Sequence, residues 1–442
     1  MPNFLTDIVA VTIVLGIMIF VHEWGHFIVA KLCGVRVDVF SFGFGPRLFG
    51  VKRGETDYRL STLPFGGYVR MAGDNPIEER SGAPYEFLSK PRWQRVLVAV
   101  AGPSMNFVLA FLIFWGIFWR VGIPVPAYAH QPADVVAVPE GPADASGVQP
   151  ADRIVRVNGQ KTPTWQGVLG QLDLAKPGSL LPVTVLRSGS EHSLTVKVPA
   201  KPSATGFIWY PAWPTIIDTV EPGFPAERAG MKKGDTIISI NGRPVVTWLQ
   251  ILEGVRRSDG HPVQFVARRD GKDIAVTVTP TWGMDINGQM VWQVGVSART
   301  DDVNEPQTFL ASSLDAGTAT ASGLRQIGSV LLGLFSGKVS IRAFVGPVGM
   351  SRMAGAAAKS GALSLLELMA IISLNLGALN LLPIPILDGG HVLLLAVEGV
   401  LRHDLSIEVK ERFVQVGLVF LLAVFAFIMY SDILKAIQSH SH

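Results

Sequence analysis

The stretch from Ile8 to Ala30 reads IVAVTIVLGIMIFVHEWGHFIVA. A membrane-spanning helix needs about 20 mainly apolar residues, and this segment supplies them. Near its end, however, it carries His22, Glu23 and His26. Ionisable groups inside a spanning helix are costly and are functional candidates by default. Their order, His-Glu-x-x-His, puts two imidazoles on one helical face at i and i+4, where both reach one zinc ion, with Glu23 beside them as a proton acceptor for water. The bland alternative is a polar helix end that snorkels to the membrane surface. With only 9 histidines in 442 residues, the motif rarely arises by chance.

Outward from this segment the rest of the chain fits a membrane protein. It is 48% hydrophobic and only 17% charged, and its mean hydropathy is +0.36. Soluble proteins carry about 25% charged residues. A net charge of +3 advertises no nucleic-acid partner. The single cysteine, Cys33, excludes an internal disulfide and a cysteine metal cage. Three more crossings are read at Val96–Trp119, Leu368–Leu387 and Phe413–Tyr430. The first segment is not a cleavable signal peptide, because no Lys or Arg precedes it and no small-residue cleavage site follows. Lys31, Arg36, Arg47, Lys52, Arg53, Arg92 and Arg95 crowd the first loop, and Arg402, Lys410 and Arg412 the last. Positive loops stay in the cytoplasm. The termini and the long region between crossings two and three then face outward, to the periplasm if the membrane is a bacterial inner membrane.

That long region repeats itself. PADASGVQPADRIVRVNG (residues 142–159) realigns on PAERAGMKKGDTIISING (225–242) at a constant offset of 83 residues. Each copy reads as a short helix, a turn and a strand ending in the tight-turn pair Asn-Gly. Further strands are expected at Leu181–Leu186 and Leu194–Val198, and at Val263–Ala267 and Ile274–Val278. The first copy departs from the second in having Ala151 where the second has glycine. Beyond the repeat, Leu310, Leu314, Ala321, Leu324, Ile327 and Leu334 share one helical face. That helix lies in the membrane interface or packs on the repeat pair or on the bundle.

A catalytic zinc usually has three protein ligands. Asp388, in the segment Asn380–His391, is the favoured third, because it completes a set resembling the His₂Glu arrangement. His391 competes, and Glu367 and Glu398 are weaker alternatives. Pro383 and Pro385 break the third crossing, and broken backbone at membrane depth survives only when buried or lining a watery cavity. Crossings one and three run in the same direction, so His22 and Asp388 both lie toward the cytoplasmic leaflet. Asn380 hydrogen-bonds a substrate or oxyanion, or else a neighbouring helix. Val37–Pro46 alternates and then breaks at glycines, and Thr56–Met71 alternates in part. A hairpin there offers an edge to an extended substrate through Val37, Val39, Ser41, Gly43 and Gly45; the alternative is a solvated cytoplasmic hairpin. The small residues of Ala101–Asn106 suit close helix approach.

The repeats resemble bacterial PDZ domains. Together with HEWGH in the first crossing and Asn380…Leu387-Asp388-Gly389 in the third, they resemble the site-2 protease family of its tandem-PDZ bacterial type, over essentially the whole chain. The resemblance implies a polytopic α-helical membrane protein with four transmembrane helices, a membrane-associated β-hairpin and two PDZ domains. It also implies one Zn2+ per chain, held by His22, His26 and Asp388, with Glu23 as general base. The implied substrates are single-span membrane proteins, such as an anti-sigma factor already trimmed outside the membrane, and remnant signal peptides. The PDZ domains then control access or take C-terminal peptides. The expected parts are a first transmembrane segment 1–32, a loop 33–94 with the hairpin, a second segment 95–120, PDZ domains 121–205 and 206–285, and a linker 286–362. A third segment 363–397, a loop 398–412, a fourth segment 413–435 and a tail 436–442 complete the chain. A non-catalytic peptide-binding scaffold would lack Glu23. A zinc transporter would string polar groups across both leaflets, whereas these cluster on one side.

Overall fold

The computed structural model describes residues 2–74, 81–139, 147–198, 208–221, 223–284, 290–336 and 346–438. It begins with the helix α1 (Pro2–Leu32), which stops at Gly34 in the left-handed region. Two long strands follow, β1 (Val37–Arg53) and β2 (Thr56–Met71). Next comes α2 (Arg92–Arg120), with Pro91 before its first turn and Pro103 inside it. α1 and α2 approach backbone to backbone: a Cβ on Gly25 would strike the Ala101 carbonyl and the Met105 side chain. Small residues at such crossings allow the close packing that holds helices together in lipid.

Residues Ile123–Glu305 form a separate compact unit. It opens with β3 (Ile123–Pro126) and contains two matching modules. The first comprises β4 (Arg153–Val157), β5 (Gln160–Lys161), α3 (Trp165–Asp173), β6 (Leu180–Arg187) and β7 (Ser190–Lys197). In the second, β8 (Ile217–Val220) and α4 (Pro225–Arg228) precede β9 (Thr236–Ile240), β10 (Arg243–Pro244), α5 (Trp248–Arg257), β11 (Val263–Arg269) and β12 (Lys272–Val278). Their sheets have the same order, β5-β4-β6-β7 and β10-β9-β11-β12. The repeat in sequence is thus a repeat in topology. Each module also repeats one buried ion pair, Arg187 Nε to Asp152 at 2.7 Å and Arg269 Nε to Asp235 at 2.6 Å. The hydrogen bond from Arg269 holds the Asp235 carboxyl below the ordinary carboxylate range. The short helix expected at the start of the first copy falls outside the described residues.

The expected end of the second module at residue 285 is too early. β13 (Thr281–Met284) pairs with β14 (Met290–Gln293), β15 (Val296–Ala298) pairs back on β8, and Val294 belongs to the module's core. The unit closes with β16 (Asp302–Glu305) antiparallel to β3, Ile123 facing Glu305.

The chain then returns to the helical unit, residues 1–122 and 306–442. It continues as α6 (Phe309–Phe335), α7 (Pro347–Ser360), α8 (Ala362–Asn380), α9 (Asp388–Leu401) and α10 (Ile407–Gln438). α6 takes the bundle-packed option: Leu324 and Ile327 pack with Ala110, Ala370 and Leu374, and the Phe309 ring meets Trp115 and Trp119. Four helices among the described residues are long and apolar enough to cross a membrane: Leu5–Leu32, Arg92–Arg120, Ala362–Asn380 and Ile407–Tyr430. The segment 363–397 is broken where the prolines lead us to expect it. Its first helix ends at Asn380, and a new helix starts at Asp388, because Pro383 and Pro385 cannot donate backbone hydrogen bonds.

Candidate metal centre

Two elements deliver three donors to one point. α1 presents His22 and His26 on one face. The turn between α8 and α9 presents Asp388 as the first residue of its helix. That turn is tightly wound: a Cβ on Gly389 would strike the carbonyls of Leu381 and Leu382, and one on Gly390 the carbonyl of Ile384. Ile386, two residues before the aspartate, sits at φ 80°, where a β-branched side chain is strained by about 1–3 kcal/mol. The packing around the turn holds it there, and strain of this kind collects at functional sites.

The Nε2 atoms of His22 and His26 lie 3.2 Å apart. Asp388 Oδ2 is 3.1 Å from the first, and Asp388 Oδ1 is 3.4 Å from the second. A tetrahedral zinc with bonds of 2.0–2.1 Å has ligand atoms about 3.3 Å apart; the two imidazole nitrogens have that spacing, and one ligand atom from each of the three residues lies within 4.8 Å of the others. His26 Nδ1 is 2.7 Å from the Val98 carbonyl, which fixes a proton on Nδ1 and leaves the Nε2 lone pair free. Gly102 completes the fit, since a Cβ there would press on both Nε2 atoms. The donor set therefore fits a zinc ion with an open position. Among the described residues, His22, His26 and Asp388 form the one such cluster.

The donors open into a cavity of about 670 Å³ that Glu23, Asn380 and His391 also line. His391 lies beside the cluster and outside it. Glu398 is buried in an ion pair with Lys410 at 2.7 Å and is thereby committed elsewhere.

The hairpin differs from expectation in which strand segment lies outermost. Val39 faces both Arg70 and Asp57, and Phe42 faces both Gly67 and Leu60. Residues 39–42 thus have a strand partner on each side and present no free edge. Val37, Val39 and Ser41 are buried. The Val37 carbonyl accepts from Thr56, and the Ser41 hydroxyl is shared with Gly43 and Ser61. Gly43 and Gly45 take positive φ in the bend of the sheet, and neither lines the cavity. The outermost segment on the cavity side is Gly67–Met71, whose Met71 N–H is taken by Asp74. Tyr68, Val69 and Met71 line the cavity, and a Cβ on Gly67 would lie 3.3 Å from Glu23 Cγ. Alternation in sequence marks a strand but does not say which of four strand segments lies outermost. Gly102 and Asn106 were visible only as members of a small-residue run.

A membrane-embedded metallopeptidase is the class of protein that this helical frame and donor set define. Residues 10–424 match the family model described as Peptidase family M50, and the chain belongs to that family, the site-2 proteases. It is 30% identical to the regulator of sigma-E protease RseP of Escherichia coli, over 98% of this chain and 99% of the relative. The same identity and coverage hold for a Vibrio cholerae protein carrying a zinc metalloprotease name. A regulator of sigma E protease of Haemophilus influenzae is also 30% identical, over 98% of this chain and all of the relative.

Proposed function

We propose that the protein is an intramembrane zinc endopeptidase that cleaves single-span membrane proteins. The observation that carries this reading is the triangle of His22, His26 and Asp388 opening into a cavity that Glu23 shares. Zinc in such a set supplies Lewis acidity for peptide hydrolysis. Glu23 takes the proton of the attacking water and returns it to the leaving amine. Asn380 donates from its amide to the carbonyl under attack. The substrate lies extended along Gly67–Met71, because a helical carbonyl is hydrogen-bonded and covered, and strand addition keeps the peptide unwound. Phe44, Leu48, Phe49 and Val51, all exposed on the outer part of the sheet, support its insertion into the bilayer.

The names of the relatives support a role in sigma-E regulation; in this reading the substrates are a pre-trimmed anti-sigma factor and remnant signal peptides. The loop charges support a bacterial inner membrane with both termini and the repeat unit outside. The two modules act as PDZ domains that govern access or bind C-terminal peptides. The test is purified full-length protein with a tagged single-span substrate. It should bind one zinc per chain and cleave, while Glu23→Gln should keep the zinc and lose cleavage by 10²-fold or more, on the order of a general base's contribution. Undiminished turnover by that variant would overturn the role of Glu23. Absence of zinc from the active wild type would overturn the whole reading.

A further inference from the structure

The metal centre rests on a side chain that the catalytic motifs do not include. Asn106 of α2 is fully buried. Its carboxamide nitrogen lies 3.1 Å from His22 Nδ1, and its Oδ1 has no hydrogen-bond partner among the described residues. The two ends of a carboxamide exchange by a half-turn, and the surrounding network decides which way it points. Here the metal decides. If His22 binds through Nε2, as the triangle of donors requires, its neutral ring carries the remaining proton on Nδ1. Nδ1–H needs an acceptor, and an amide –NH₂ cannot be one. A half-turn of Asn106 puts the orphaned Oδ1 in reach.

We infer that Asn106 is the positioning residue of the metal centre, its Oδ1 accepting from His22 Nδ1–H and so fixing the tautomer and the ring plane that aim Nε2 at the zinc. This inference rests on the reading of the triangle as a zinc site. It gives the two histidines parallel supports from one helix. Val98 holds His26 through a backbone carbonyl, and Asn106, two turns further along α2, holds His22 through a side chain. The backbone carbonyl of Asn106 accepts from Ser373 of α8 at 2.8 Å, which pins the residue from the other side. α2 thereby orients both imidazoles while contributing no ligand, and metal-ligating histidines generally need such partners.

The test uses full-length protein in detergent and two variants of similar size, Asn106→Leu and Asn106→Asp. Leucine keeps the volume and removes the acceptor, whereas aspartate can only accept. The readouts are zinc stoichiometry, the rate of zinc loss to a chelator, and the ¹⁵N shifts of labelled histidine. Asn106→Leu should lose zinc about 10–100-fold faster than wild type, the usual cost of removing such a partner. Asn106→Asp should hold zinc at least as long as wild type, with His22 protonated at Nδ1. A packing role alone predicts the opposite order, since leucine suits an apolar interior and a carboxylate does not. Equal retention by wild type and Asn106→Leu would overturn the inference, and so would fast loss from Asn106→Asp alone. Neither result touches the zinc reading, which fails only if the wild type itself binds no zinc.

Discussion

Gly102 faces His26 without a side chain between them, and a single added methyl would press on the Nε2 atoms of both His26 and His22. Alanine is the better helix former by roughly 0.5–1 kcal/mol, which offsets part of the cost of displacing the two imidazoles, so Gly102→Ala should remain folded and helical. The same change should abolish zinc binding, because its methyl occupies the coordination space. Zinc analysis alongside a melting curve checks both halves. A stable Gly102→Ala protein with full zinc would mean that the ligand face lies elsewhere.

The proposed docking of substrate along Gly67–Met71 can be tested directly. Single cysteines along Gly67–Met71 should form disulfides with cysteines placed near the scissile bond of a substrate, while cysteines at Val37, Val39 or Ser41 should not. Val69→Pro should slow cleavage with zinc retained, because proline deletes a backbone donor on the outermost strand that also hydrogen-bonds Glu23. Capture at Val39 in preference to Val69 would return the edge to the inner strand.

How much of this was legible beforehand depends on how local each signal is. The His22–Glu23–His26 motif is read from five consecutive residues, and its position in an apolar run fixes its depth. Asp388 is far away in sequence, yet the parity of the crossings and the Pro383–Pro385 break brought it to the same leaflet. The repeat was legible because 83-residue self-similarity needs no knowledge of packing. The sheet edge was not legible. Residues 39–42 alternate well because they are interior, with neighbours on both sides. Nor do Gly102 and Asn106 announce themselves: a glycine and an asparagine in a small-residue run read as helix packing until the imidazoles appear beside them.

Ala151 gives a prediction about stability. It sits at φ 73°, where its counterpart Gly234 sits at φ 89°. A non-glycine residue in this region costs about 1 kcal/mol or more. Ala151→Gly should therefore stabilise the first module by about 1 kcal/mol, less the entropy that glycine restores to the unfolded chain. Denaturant unfolding of the excised unit, residues 123–305, would measure it, with Gly234→Ala expected to destabilise the second module. A destabilising Ala151→Gly would mean that the methyl contributes packing that outweighs its strain.

The last prediction concerns the repeat unit as a gate. The metal donors and every residue lining the cavity belong to the helical unit, so the modules are expected to act on access and to leave the chemistry alone. The chain leaves and re-enters through β3 and β16, paired with Ile123 opposite Glu305, which brings the two ends within about 5.5 Å of each other. Excising 123–305 and joining Gly122 to Pro306 with a short Gly-Ser linker should therefore cost the helical unit little. A narrower cut over 134–280 would strand Tyr128, Ala133 and Val294, which belong to the two module cores. The excised protein should keep its zinc and cleave a substrate with a short outer stub at a rate near wild type. It should also accept a substrate with a large folded outer domain that the full chain rejects. Matched long and short substrates, run against both proteins, give the comparison. Loss of short-stub cleavage with zinc in place would make the modules part of the active enzyme, and unchanged discrimination would move the filter to the helical unit, with α6 and α7 the first segments to test.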